Sequence, residues 1–274
     1  MSQSDRPDQY EHYLSRSWCR FGYEEHVAKW VQHARPFANK ALKDAKNSPW
    51  IRCKGTWFVG VNALPNDENA TIGTTPLAGQ ALDFLNTTQG HEPITWDKAQ
   101  ISVCYPGYPQ PNENESEAAF QFRLKRDAAH VDGLLPEGAH RRRYLREPHR
   151  FVLGIPMTPT NQAHAPPVVW EGSHHIVREY LAPCYRGVPP EQWPQVDITD
   201  AYHQARKAVF ARCHRIILIA QPGETFILHR LSVHGIAPWT DTINNGHETE
   251  AFRMICYFRP HFESPTSWLT STVN

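Results

Sequence analysis

Early in the chain, apolar residues recur at three- and four-residue steps. Residues 10–18 and 24–46 therefore read as helices, the second carried by Val27, Trp30, Val31, Ala34, Phe37 and Ala38. Pro36 lies inside that run, and its ring and missing N–H predict a kink or a split. Residues 57–61 read as a strand, Trp-Phe-Val-Gly-Val. Residues 76–84 read as a short helix, with Pro76 in its first turn and Thr75 as its cap. Residues 100–105 read as a strand that stops at the turn signal Pro106-Gly107. The polar run 112–117 reads as a mobile loop.

Further on the pattern changes. Residues 150–157, 167–170, 215–219, 225–229, 233–237 and 251–258 are short strand candidates separated by turn residues. They are not alternated with helices, and a single helix, 199–212, interrupts them. That order predicts a mainly β sandwich or barrel with flanking helices, not a parallel α/β sheet. No repeat, low-complexity tract or linker divides the chain. The expectation is one domain over 1–274, with a mixed helical flank (1–99), a β core (100–260) and a tail (261–274).

Composition narrows the function. Lys plus Arg equals Asp plus Glu at 28 each, so no basic excess points to nucleic acid or a membrane surface. The 23 prolines suit a body rich in strand edges and turns. Residues 1–20 carry no apolar stretch like a secretion signal, and the longest aliphatic run, 216–220, is too short to span a bilayer. The six cysteines stand singly, without a C-x-x-C pair. Reduced thiols and a cytoplasmic location are the expectation.

The candidate chemistry centres on His130-Val131-Asp132-Gly133. In an extended segment, side chains two apart share a face, so His130 and Asp132 can grip one metal ion. A third ligand from a returning strand would complete the facial triad of non-haem Fe(II) oxygenases. Two histidines, His229 and His234, lie in the stretch 223–235. They are five apart, so one continuous strand puts them on opposite faces and only one should be a ligand. His234 is chosen because Gly235 beside it leaves room for a cosubstrate, and His229 is read as a core imidazole. Arg253 is a charge inside the apolar strand Phe252 to Phe258, which suits a fixed cation for a carboxylate. Arg259, beside Pro260 at the strand end, is assigned to solvent.

These motifs together resemble the phytanoyl-CoA dioxygenase family. His130-x-Asp132 is similar to its first metal motif. Val168-Val169-Trp170-Glu171-Gly172-Ser173-His174 is similar to its strand ending in Gly-Ser-His. Gly223-Glu224, Phe226, His229, His234-Gly235 and Phe252-Arg253 resemble its C-terminal signature. The resemblance implies a double-stranded β-helix, a cupin-like jelly roll. It implies Fe(II) at His130, Asp132 and His234, 2-oxoglutarate held by Arg253, and O2 and a small molecule as substrates. Because Asp132 fills the place a halide needs in related halogenases, it implies an oxidation such as hydroxylation. The sequence departs from the family in three places. Glu171 stands for a proline. Ile236 stands where many relatives carry a serine that helps the arginine. The 19-residue spacing from His234 to Arg253 contains an apparent insertion at 240–250. Tyr105 and Thr158 are the candidates for the missing hydroxyl.

Arg141, Arg142, Arg143, Arg146 and Arg150 follow the first motif. They read either as a solvated face balanced by Glu137 and Glu147, or as an anion site at the pocket mouth. Arg146, Arg150 and Trp170 are the candidate substrate contacts. The alternative to an oxygenase is a non-oxidative cupin-like metalloenzyme, a zinc hydrolase or isomerase, in which Arg253 has no role.

Overall fold

The computed structural model describes residues 6–89, 93–113, 115–241 and 252–270. Helix α1 (Arg6–Arg16) leads into β1 (Trp18–Phe21), and α2 (Glu25–Lys43) is followed by β2 (Ile51–Arg52) and β3 (Trp57–Gly60). Next come α3 (Gln80–Thr88), β4 (Gln100–Cys104), α4 (Glu117–Lys125) and the hairpin β5 (Leu134–Glu137) and β6 (Arg142–Leu145). Strands β7 (Phe151–Pro156) and β8 (Pro167–Trp170) precede the helices α5 (Ser173–Tyr185) and α6 (Thr199–Arg212). The chain ends in β9 (Arg215–Ile217), β10 (Thr225–His229), β11 (His234–Ile236), β12 (Arg253–Phe258) and α7 (Pro265–Thr270).

Seven strands form one antiparallel sheet in the order β1-β10-β7-β12-β4-β3-β2, and three form a second in the order β11-β8-β9. Side-chain alternation sorts the residues of β12. Met254, Cys256 and Phe258 join Val27, Trp30 and Ala34 of α2 in a core on the outer face of the large sheet. Ile255 turns the other way, into a second core with Val152, Phe226 and Leu228, closed from the small sheet by Val169. A third core lies outside the small sheet, where Trp170 meets Val177 and Leu181 of α5 and Tyr202 and Val209 of α6. The two sheets therefore face each other between helical layers, as a jelly roll requires.

The expected strands are present with ends moved by a few residues, and 167–170, 225–229 and helix 199–212 fall where the pattern puts them. Pro36 does not split α2, which runs unbroken with six buried residues along one stripe. Packing of that stripe outweighs one missing hydrogen bond. The helix expected at 76–84 starts at Gln80 instead, because its amide is capped by the Glu24 carboxylate at 3.1 Å, not by Thr75. The expected loop at 112–117 runs into α4, whose first turn is capped by Ser116 Oγ accepting from Ala119 N–H at 3.2 Å. The helix expected at 10–18 ends at Arg16, and Trp18 opens an edge strand paired with β10. Helix α5 was not expected. It starts at Ser173, inside the motif read as the end of a strand. The apparent insertion at 240–250 lies outside the described residues from 242 onward, as do residues 1–5. No described helix is long and apolar enough to cross a membrane.

Gly235 sits where β11 crosses the segment before His130. Ile236 N–H donates to the Asp127 carbonyl at 2.8 Å, and a Cβ on Gly235 would lie 2.1 Å from that oxygen. The expected reason for this glycine was space for a cosubstrate; the contact that forbids a side chain is backbone against backbone. Gly235→Ala should lower stability by about 2–3 kcal/mol through overpacking, read as a shift in the urea midpoint at unchanged slope. A neutral substitution would show that this crossing can relax.

Candidate metal centre

His130 and His234 are bridged through their backbones. His130 N–H donates to His234 O at 2.9 Å, and His234 N–H to His130 O at 3.0 Å. Val131 turns into the core outside the small sheet, so His130 and Asp132 face the other way together. This register brings one ligand-type atom from each of His130, Asp132 and His234 to within 4.8 Å of one another. Asp132 Oδ1 lies 3.0 Å from His130 Nε2 and 3.7 Å from His234 Nε2.

The ring tautomers follow from the backbone. His130 Nδ1 is 3.0 Å from Ala128 O, and His234 Nδ1 is 3.1 Å from Ser232 O. A carbonyl only accepts, so each Nδ1 carries the hydrogen and each Nε2 presents a lone pair toward Asp132. Two imidazole lone pairs and a carboxylate oxygen thus converge. That donor set requires a cation between them, either a proton or a metal ion. Burial alone would raise the Asp132 carboxyl, but His234 and Arg259 beside it hold it well below the carboxylate range. Burial would lower His234, but the Asp132 charge and hydrogen bond outweigh it and raise this imidazole.

Arg259 is the residue that sequence reasoning misplaced. Its Nη1 donates to Asp132 Oδ2 at 3.4 Å and its Nη2 to Gln100 Oε1 at 2.6 Å, so it is part of this centre and not a solvent arginine. The signal was available: Arg253, Ile255, Tyr257 and Arg259 share one face of an alternating strand.

Arg253 is 0% exposed. Its Nη2 donates to Cys104 Sγ at 2.7 Å, while Nε and Nη1 have no hydrogen-bond acceptor among the described residues. Burial pushes the Cys104 thiol up to about 11 and the Tyr257 phenol up to about 12, so both neighbours are neutral. No described carboxylate pairs with this guanidinium. A buried, unmatched cation on the inner face of the sheet fits an anionic ligand.

The other expected contacts fall elsewhere. Tyr105 packs on Phe252 on the helical side of the large sheet, facing away from Arg253. Thr158 Oγ1 accepts from Met254 N–H at 2.8 Å and so caps the start of β12. Arg146 is tied to Glu137 and the Pro194 carbonyl on the outer hairpin. Arg150 is buried and donates to the Gln89 and Pro93 carbonyls. Trp170 packs edge-on against Phe210 at 5.3 Å. The arginine run therefore disperses over the hairpin and the core and builds no anion site at the mouth. His229 is a core imidazole: its Nδ1 accepts from Leu231 N–H at 3.1 Å.

A cavity of about 390 Å³ opens beside the three converging atoms, between the sheets. Gln100 and Ser102 of β4 and Tyr257 line it, with Trp50, Trp57 and Leu135 farther out.

No protein-family model matches the chain, and no curated protein does. Solved structures do. The non-haem alpha-ketoglutarate-dependent carbocyclase SnoK from nogalamycin biosynthesis superposes with a TM-score of 0.55 at 13% identity, over 96% of this chain and 85% of that one. EvdMO1 superposes with a TM-score of 0.52 at 10% identity, over 94% of this chain and 50% of that one. The epimerase SnoN, in complex with Fe3+, alpha-ketoglutarate and nogalamycin RO, gives a TM-score of 0.49 at 11% identity, over 93% of this chain and 84% of that one. At these identities the likeness is one of fold, and it confirms the jelly roll expected from the strand pattern and the motif resemblance.

The His234–Asp132 pair makes metal-free stability depend on pH. The raised His234 value adds stability that is complete below about pH 6.5, the unfolded histidine value, and is lost as pH rises through the folded one. The lowered Asp132 value adds stability that is present above about pH 4 and is lost as pH falls through the folded one. The stability gap between the parent protein and Asp132→Asn, measured in chelator, should be largest between about pH 4 and 6.5. It should shrink above that window; a flat gap would refute the pairing.

Proposed function

We propose that this chain, which has the jelly-roll fold of the phytanoyl-CoA dioxygenase-like non-haem iron enzymes, is an Fe(II)- and 2-oxoglutarate-dependent oxygenase of a small or medium metabolite. The observation that carries this reading is the convergence of two imidazole Nε2 atoms and one carboxylate oxygen on a single point. Arg253 separates it from a zinc hydrolase or isomerase, because a buried cation without a carboxylate has work only where an anionic cosubstrate is held.

In this reading His130 and His234 bind the metal through Nε2, and Asp132 binds it through Oδ1. Backbone carbonyls at both Nδ1 positions lock the rings, and Arg259 holds the second Asp132 oxygen, so the three ligands stay on one side of the ion. The cavity these three residues line would give small molecules access to a bound ion. Arg253 grips the distal carboxylate of the keto acid from the closed interior of the sandwich. Bound there, iron and 2-oxoglutarate would supply oxidation of an unactivated C–H bond by O2. The chain's own part is to hold the ligands, exclude water between the two sheets and aim the substrate. Asp132 occupies the position a halide would take, which favours hydroxylation or a related oxidation over halogenation.

The reading is tested by titrating the anaerobic Fe(II) protein with 2-oxoglutarate. A visible charge-transfer band is expected, and its absence with bound zinc would favour the hydrolytic alternative. His234→Ala should abolish iron binding, while His229→Ala should leave it intact at some cost in stability. The reverse pattern would overturn the ligand set. Arg253→Ala should weaken 2-oxoglutarate by about 2–5 kcal/mol, the scale for removing one partner of a buried charged pair. Metal binding should be unchanged in that variant, and an unaltered 2-oxoglutarate affinity would remove Arg253 from the site.

A further inference from the structure

We infer that the substrate of this site is a ring-bearing molecule without an anionic group, whose hydroxyl or N–H group donates to Glu147; the inference rests on the oxygenase reading for the site but not on its chemistry. The cavity leaves His130, Asp132 and His234 along a wall of Trp50, Trp57, Val59, Val61 and Leu135. Trp57 is held in place by its indole N–H, which donates to Ser102 Oγ at 3.2 Å. Leu135 is 39% exposed, an apolar side chain at the rim on the outer hairpin. Flat aromatic faces and branched aliphatics reward a ring, and they offer nothing to an anion.

The charges at the mouth point the same way, because each already faces a partner. Arg259 donates to Asp132 and to Gln100. Glu147 faces His149, whose Nε2 is 3.1 Å from Glu147 Oε2 and whose Nδ1 is 2.8 Å from the Arg259 carbonyl. The His149 ring stands between this carboxylate and that carbonyl and is the hydrogen-bond partner of Glu147. The hydrogen bond from His149 lowers the Glu147 carboxyl and keeps it ionised. An anion entering this cavity would lose its hydration and find no unmatched positive charge among the described lining residues. The arginine run that suggested an anionic substrate contributes none of its members to the lining.

One acceptor remains. Glu147 lines the cavity with its side chain 37% exposed, and among the described residues no hydrogen bond reaches its Oε1. A charged acceptor beside an apolar wall fixes the orientation of a ring that carries one donor.

The test measures binding by calorimetry to the protein loaded with Co(II) and the unreactive keto-acid analogue N-oxalylglycine. The probes are 2-naphthol, 2-methoxynaphthalene and naphthalene-2-carboxylate. The naphthol should bind about tenfold tighter than either of the others, the size of one hydrogen bond to a charged group. Glu147→Gln should shrink that advantage and Glu147→Leu should abolish it, with 2-methoxynaphthalene affinity unchanged in both. Tightest binding of the carboxylate, or a naphthol advantage that survives Glu147→Leu, would overturn the inference. If the variants do not fold, the ranking of the three probes on the parent protein decides it alone. The cobalt spectrum reads the metal site separately. Failure to load cobalt would overturn the oxygenase reading, and the ranking on the metal-free chain would still decide this one.

Discussion

The structure depends on holding three electron-rich atoms against one another. Asp132 Oδ1 and the two imidazoles come within 4.8 Å, an approach that is favourable only with a proton or a metal ion between them. The backbone enforces it. The paired amides and carbonyls of His130 and His234 fix the two rings side by side, with centroids 4.8 Å apart. Gly235 then lets the next peptide come close enough to bond Asp127 O. Asp127 is in turn clamped by Arg215 from β9, at 2.6 and 2.9 Å. The small sheet is thus tied on both sides to the segment that carries the first two ligands.

Charge burial explains why two arginines of one strand differ. Arg253 and Arg259 lie on the same inner face of β12 and its extension, six residues apart. Arg259 is 19% exposed in its side chain and has a carboxylate, so its desolvation is offset. Arg253 is wholly buried against a thiol and has no carboxylate partner among the described residues, so its desolvation is not offset there. A buried cation of this kind is what the proposed role in holding an anionic ligand would account for. Cys104 sits opposite Arg253 in the strand register, where a larger polar partner would compete for the guanidinium.

The β core was legible because it depends on local signals. Short apolar runs bounded by turns gave β7, β8, β10 and β12 nearly residue for residue, and H-x-D gave two of the three converging ligands. What was not legible depends on distant partners. Edge strand β1 exists because β10 offers it a ladder, and α3 begins where Glu24, far away in sequence, reaches its first amide. The arginine run does not line the cavity beside His130, Asp132 and His234, because its members turn to different partners once folded. Arg143 goes to the Leu134 carbonyl, Arg146 to Glu137 and Arg150 to the Gln89 carbonyl. Arg259 was readable from period two and was missed because its place beside Pro260 was given more weight than its face.

Counting histidines could not have found the site, and a second histidine pair shows why. His174 and His229 pack as tilted rings with centroids 4.6 Å apart, about as close as His130 and His234. His229 and His234 are both shielded from water, yet their chemistry is opposite. Burial drives His174 down to about 3 and His229 well below its ordinary value, and Arg230 adds to the effect on both. Among the described residues no carboxylate pairs with either ring; His174 Nε2 meets Leu14 O, and His229 Nδ1 accepts from Leu231 N–H. These rings are neutral packing. At His234 the same burial is overridden by Asp132, and the free Nε2 faces a carboxylate. One acid on the shared face separates a pair of core imidazoles from a pair able to bind a cation. That makes the position of Asp132, two residues past His130, the most informative feature in the sequence.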